Sequence, residues 1–148
     1  MKISISFRQA IKDDIAFLLQ LRIRTMTEHL SAAEISMSNQ QHIERIQEYF
    51  TDSQIILVNN DAVGLIKLGV KPETLHIRQF QIMPEFQGKG IGEKVLVAVK
   101  KQAVKLQRAI SLNVLLNNPA KALYLRHGFT VVDENPLEYQ MECALKNC

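Results

Sequence analysis

Residues 80–93 read Phe80-Gln81-Ile82-Met83-Pro84-Glu85-Phe86-Gln87-Gly88-Lys89-Gly90-Ile91-Gly92-Glu93, with a strand-like apolar run on one side and a long helical pattern on the other. Glycine adopts backbone angles closed to other residues and lets a ligand come up against the main chain. A helix N-terminus adds free N–H groups and the positive end of the helix dipole. Together these features can hold a phosphate, and Lys89 contributes a charge. The same spacing also serves a tight strand-to-helix connection. It is not a P-loop, whose first Gly and Gly-Lys stand four residues apart. Nor is it the dinucleotide fingerprint: Glu93 stands beside G-x-G-x-G, and no acidic residue follows at Ala109–Leu112 to hold a ribose.

The elements that must position this turn follow from hydrophobic period. Ile3, Ile5 and Phe7 alternate as a first strand, and Asp13 or Asp14 caps the helix of Ile15, Leu18, Leu19, Arg22 and Ile23. A second helix is expected over Asn39 to Phe50, with Ile43, Ile46, Gln47 and Phe50 on one face. Strands at Gln54–Val58 and Ala62–Val70 flank Asn59-Asn60-Asp61, which suits a hairpin turn. Gly69–Thr74 reads as the next turn and Leu75–Met83 as a strand stopped by Pro84. After the glycines a helix runs to about Gln107, with Leu96, Val99, Ala103 and Leu106 inward. Ile110–Leu115 is a strand, Pro119 suits the first turn of a last helix ending near Gly128, and Phe129–Val132 and Leu137–Leu145 complete the sheet. The order is β-α-α-β-β-β-α-β-α-β-β.

Two blocks carry a resemblance to the GNAT superfamily of N-acetyltransferases. One is Q-x-x-G-x-G, here Gln87, Gly90 and Gly92, after a strand ending Phe80-Gln81-Ile82-Met83-Pro84. The other is Leu112-Asn113-Val114-Leu115-Leu116-Asn117-Asn118-Pro119-Ala120-Lys121-Ala122-Leu123-Tyr124-Leu125-Arg126-His127-Gly128-Phe129. The opening Phe7-Arg8-Gln9-Ala10 with Asp13-Asp14 is similar to the family's first strand and helix. The resemblance implies an α/β (α+β) fold: a mixed, mostly antiparallel sheet of about seven strands flanked by about four helices, splayed between strands 4 and 5. Acetyl-CoA would lie in that splay. Phe80, Gln81 and Ile82 would pair with the pantetheine arm, and Gln87, Gly88, Lys89, Gly90, Ile91, Gly92 and Glu93 would hold the pyrophosphate. Asn118 would hold the pantetheine or nearby backbone; Asn117 competes with it, and Asn118 also suits a helix N-cap.

Acetyl transfer needs an amine stripped of its proton, and the departing sulfur benefits from a proton. By resemblance Tyr124 protonates the thiolate; a phenol with pKa near 10 carries the needed proton at neutral pH. As a core residue it would instead pack beside Leu123. His76 stands six residues before Ile82 on the same strand face, where several relatives place a base. An imidazole suits that work, although a solvent-touching strand histidine has the same signature. Arg78 shares this face, either to meet an acidic substrate group or as a solvated charge. His29 and Glu28 are assigned to the connection between the first helices, where relatives often bind acceptor, or to a solvated loop. Gln79 reads as a polar strand position.

The bulk properties bound the rest. The chain has 148 residues, fitting one domain over 1–148, and 47% apolar content argues against disorder. A net charge of +3 is too balanced to argue for nucleic acid. Lys94, Lys100, Lys101, Lys105 and Arg108 then form a solvated helix face. Cys143 and Cys148 build neither a disulfide framework nor a metal site, so reduced thiols and no metal are expected. Residues 1–8 alternate too much for a signal sequence, and no run approaches the ~20 apolar residues of a membrane span. The expectation is a soluble, cytoplasmic, acetyl-CoA-dependent enzyme acting on an amine acceptor, with no membrane partner. The resemblance allows a homodimer. The competing reading is a coenzyme A-binding sensor without transfer activity.

Overall fold

The computed structural model describes the backbone of residues 3–32 and 37–147, with side chains described outside 27–32. The strands are β1 (Ile5–Gln9), β2 (Ser53–Val58), β3 (Asp61–Val70), β4 (Thr74–Ile82), β5 (Ala109–Leu115), β6 (Thr130–Glu134) and β7 (Glu138–Cys143). The α-helices are α1 (Ile15–Ala32), α2 (Asn39–Gln47), α3 (Ile91–Leu106) and α4 (Ala120–Arg126). The strands form one sheet in the order β1-β2-β3-β4-β5-β7-β6. The pairs β1–β2, β2–β3, β5–β7 and β6–β7 are antiparallel, whereas β4 and β5 run parallel. This is the expected mixed α/β fold, with the expected element order. The β4–β5 ladder spans Thr74–Ile77 against Ala109–Leu112, only the first part of the nine-residue β4.

The contacts group into two compact units, Met1–Lys67 with Gln79–Ile91, and Leu68–Arg78 with Gly92–Cys148. In the first unit, Ala10, Leu18, Leu21, Ile46, Ile55, Leu65 and Met83 form a buried cluster against which Phe17, Phe50 and Phe86 pack. Its first helix is set by Asp14. That carboxylate accepts the Ile11 N–H at 2.8 Å and a two-pronged contact from Arg8 at 2.8 Å on each prong. The Arg8 bonds hold its pKa below the ordinary value, against the opposing pull of burial. Asn59 (φ 50°) and Asn60 (φ 74°) are both left-handed between the paired Val58 and Asp61, the two-residue hairpin geometry that asparagine tolerates.

Some boundaries differ from the sequence reading. α2 stops at Gln47 rather than Phe50, because Glu48 is already extended (ψ 119°), Tyr49 then turns left-handed (φ 53°), and Phe50–Asp52 form a separate 3-10 turn. Its inward residues are His42 and Ile46, while Gln47 is exposed. Pro119 occupies the cap of α4, one position before the helix proper. Gly69 belongs to β3 and not to a turn; a Cβ there would collide with the Arg78 side chain, so its missing side chain makes room for that arginine. Glu28 and His29 fall within the backbone of α1, not in a connection; their side chains lie outside the described residues, as does Cys148. In the second unit the buried apolar residues are Leu75, Ile77, Val95, Leu96, Val99, Ala103, Ile110, Leu112, Val114, Tyr124, Phe129, Met141 and Cys143. Leu106 is half-buried.

Candidate active site

In the first unit, β4 ends in a short 3-10 turn at Pro84–Phe86, and the glycine turn follows. Gly88 and Gly90 have φ of 74° and 80°, values that glycine alone adopts freely. A Cβ built on either residue meets no heavy atom within 4 Å. The main chain is therefore open to a ligand at both. Gly92 already lies within α3, the 16-residue helix that begins at Ile91. Ile91 is only 1% exposed and anchors that end of the turn, while Lys89 is exposed. Its ammonium stands 5.6 Å from the Phe86 ring centroid. An open, left-handed backbone running into a helix N-terminus fits a pyrophosphate.

The remaining first-unit candidates are Phe80, Gln81, Ile82 and Gln87. Gln81 is buried, and its carbonyl lies where a side chain on Gly64 would have to go, so β3 and β4 come unusually close there. Phe80 and Ile82 are half-buried. The Gln87 side chain donates to the Ile82 carbonyl at 2.9 Å, closing residues 83–86 into a loop. Its side chain thus ties down the turn, a role the glycine spacing does not reveal.

In the second unit, Tyr124 on α4 is 6% exposed, with its ring 5.5 Å from that of Phe129. Burial pushes its phenol well above the ordinary pKa. The group therefore stays protonated at any working pH, and no hydrogen bond from its hydroxyl is seen among the described residues. It is a buried donor with its proton uncommitted. Asn118 accepts the Ala120 N–H at 2.9 Å, so its Oδ1 caps the start of α4. Glu93, in the first turn of α3, pairs with Arg126 at 3.5 Å and reaches His127 Nε2 at 3.9 Å.

His76 sits opposite Ser111 in the β4–β5 ladder. Its Nδ1 is 2.7 Å from the Ser111 hydroxyl, which in turn donates to Thr74 Oγ1 at 3.0 Å. Burial, then the charges of Lys71 and Arg78, bring its pKa down to about 4. The imidazole is thus neutral at physiological pH, oriented, and a weak proton acceptor. Arg108, from the lysine-rich series, donates to the Lys71 carbonyl at 2.8 Å, while Lys94, Lys101 and Lys105 are exposed.

The sequence placed Arg22 on the inward stripe of α1, but it revealed neither the partner of Arg22 nor the parts played by Lys67, His42, Arg24 and Glu85. Lys67, 1% exposed, donates to the carbonyls of Arg45, Ile46 and Glu48 at 3.3, 3.1 and 2.8 Å, holding the C-terminus of α2. Arg22 and His42 are buried and joined by a 3.0 Å bond from Nε to Nδ1. Arg24 grips Glu85 with two bonds of 3.1 and 2.7 Å. A lysine inside the run Val63–Val70 was the available signal for Lys67, and the stripe spacing of Arg22 was the signal for Arg22. Among the described residues, no three metal-ligating side chains gather, and no helix is long and apolar enough to cross a membrane.

Residues 24–141 match the model of the acetyltransferase (GNAT) domain. No curated protein matches the chain by sequence. Its fold is similar to that of the PaiA N-acetyltransferase of Thermoplasma acidophilum in complex with coenzyme A. The two are 18% identical over 95% of this chain and 99% of that one, with a TM-score of 0.75. PH1933 from Pyrococcus horikoshii is similar at 20% identity, over 95% and 98% of the chains, with a TM-score of 0.75. Arabidopsis thaliana Naa50, in complex with the bisubstrate analogue CoA-Ac-MVNAL, is 18% identical over 95% and 99%, with a TM-score of 0.71.

Proposed function

Because the chain belongs to the GNAT acetyltransferase family, whose domain covers residues 24–141, we propose that it acetylates a primary amine by direct attack on acetyl-CoA. The observation that carries this reading furthest is the open, left-handed backbone at Gly88 and Gly90, which leads into α3. The solved relatives bound to coenzyme A and to a CoA-linked bisubstrate analogue support the choice of donor. When bound, acetyl-CoA supplies an activated thioester that a free amine attacks without a covalent enzyme adduct.

The residues of this chain divide the remaining work. Backbone N–H groups of Gly88 to Glu93, with Lys89, bind the pyrophosphate. Phe80, Gln81 and Ile82 offer strand backbone to the pantetheine arm. Asn118 adds its amide N–H₂ while its oxygen caps α4. Tyr124 holds a proton on its hydroxyl for the departing sulfur. A phenol above pKa 10 and a thiol near 8.5 differ by at least about 1.5 units, or about 2 kcal/mol. Complete transfer is therefore uphill, and the hydroxyl acts chiefly as a hydrogen-bond donor to developing negative charge.

His76 is a poor base as it stands. An alkyl ammonium near 10.4 lies about 6 units above an imidazole of pKa about 4, a gap of about 9 kcal/mol. The amine proton leaves by way of water, and the neutral His76 ring, fixed by Ser111, orients that water or the acceptor. Thiol release from acetyl-CoA across a broad amine panel tests the proposal. Release dependent on a particular amine supports it, whereas tight coenzyme A binding with no turnover on any amine favours a sensor.

A further inference from the structure

The glycine turn makes few packing contacts of its own, since Gly88 and Gly90 face open space. Its conformation depends on how its two ends are held. One end is the buried Ile91. The other is the Pro84–Phe86 turn, which is fastened to α1 in two ways. Met83 and Phe86 pack on the cluster that includes Leu18 and Leu21. In addition, Arg24 of α1 forks onto both carboxylate oxygens of Glu85 at 3.1 and 2.7 Å, and its Nη1 reaches the Met83 sulfur at 3.5 Å. The pair joins residues 61 positions apart. The arginine lowers the pKa of Glu85, and the carboxylate raises that of Arg24.

We infer that the Arg24–Glu85 pair is a brace for the coenzyme turn, making both positioning residues that touch no ligand. An exposed ion pair adds little to global stability. A planar two-pronged contact nevertheless fixes geometry better than a point charge can. Here it fixes the backbone two residues ahead of Gln87, whose side chain closes the same loop. A turn already held in its binding shape loses less freedom when the ligand arrives.

The inference rests on the turn being the pyrophosphate site, and one experiment separates the two claims. Coenzyme A affinity is measured by calorimetry for the wild type, Arg24→Met, Glu85→Gln, the double variant and Gly90→Val, with melting curves confirming that each folds. A long-range field predicts opposite effects: loss of the cation weakens binding of an anionic ligand, and loss of the carboxylate strengthens it. The brace predicts that both single variants weaken binding, by about two- to fivefold, the scale of an exposed ion pair. The double variant is then no weaker than the weaker single, because either change alone opens the pair. Tighter binding by Glu85→Gln, or unchanged binding in both singles while Gly90→Val loses affinity, overturns the brace and leaves the site standing. Unchanged affinity in folded Gly90→Val overturns the site and the brace with it.

Discussion

Valine at position 90 places a β-branched side chain where φ is 80°. The added Cβ meets no heavy atom of the protein within 4 Å, so the fold bears only local backbone strain, about 1–2 kcal/mol. The turn is exposed and can relax, so the melting temperature should fall by only about 3–6 °C. The ligand meets a different situation. A Cβ at residue 90 enters space free of protein heavy atoms within 4 Å, and under the proposed function that space admits the pyrophosphate to the main chain. A hydrogen bond to a charged acceptor contributes about 1.5–3 kcal/mol, so loss of one raises Kd about 10- to 150-fold. Calorimetry with coenzyme A, alongside circular dichroism for the fold, measures both effects. Gly90→Ala should fall between valine and wild type. A folded Gly90→Val protein whose Kd stays within about twofold of wild type would show that the ligand does not approach the main chain at residue 90.

Tyr124→Phe should leave stability and coenzyme affinity nearly unchanged, because its hydroxyl donates no bond seen among the described residues; single-turnover acetyl transfer should fall about 10- to 100-fold, at the low end of general-acid effects. An unchanged chemical step would return the residue to packing duty. His76 is lowered from 6.5 to about 4 by burial and the neighbouring cations, so the unfolded chain binds more protons between those values. Its contribution to stability is full above pH 6.5 and is lost as pH falls towards about 4. His42, lowered chiefly by burial, has the same sign. Urea midpoints should therefore drop across this window, and less steeply in His76→Gln; equal slopes in the two proteins would contradict the assignment. Lys67→Met removes the donor to three carbonyls of α2 and its C-terminal turn and should cost about 1–3 kcal/mol, the penalty of buried unsatisfied groups, read as a lower urea midpoint.

Element order was readable because strands and helices bury different periodicities, which β4, α3 and β5 keep with few interruptions, and because β3 is a continuous apolar run between turn signals. The hairpin at Asn59-Asn60 was readable for a narrower reason: asparagine accepts positive φ, and both residues use it. The end of α2 was not readable. It depends on Glu48 going extended and Tyr49 left-handed, which no residue preference announces, with Lys67 from a distant strand taking up the carbonyls released there. The open, left-handed form of the glycine turn was legible because its backbone angles follow from residue type, and its proposed role as a phosphate site rests on that form. The anchors of that turn were not legible: Arg24 and Glu85 pair across 61 positions, and the Gln87 side chain reaches back five positions to the Ile82 carbonyl, neither of which leaves a periodic trace. His76 illustrates the limit for chemistry: its strand face was readable from period two, but the burial and the neighbouring Lys71 and Arg78 that make it a weak base emerge only when β4 is folded.

Under the proposed function, acetyl-CoA donates its acetyl group to an amine held by this chain. The most direct measurement is mass-spectrometric detection of acetylated acceptor, paired with thiol release, when wild-type protein and acetyl-CoA are incubated with amino acids, polyamines, peptides with free N-termini and lysine peptides. Equal molar yields of acetylated amine and free coenzyme A are expected on at least one acceptor class, both abolished or sharply reduced in Gly90→Val. Protein that binds coenzyme A yet acetylates none of these amines, or whose yield is untouched by Gly90→Val, would contradict it.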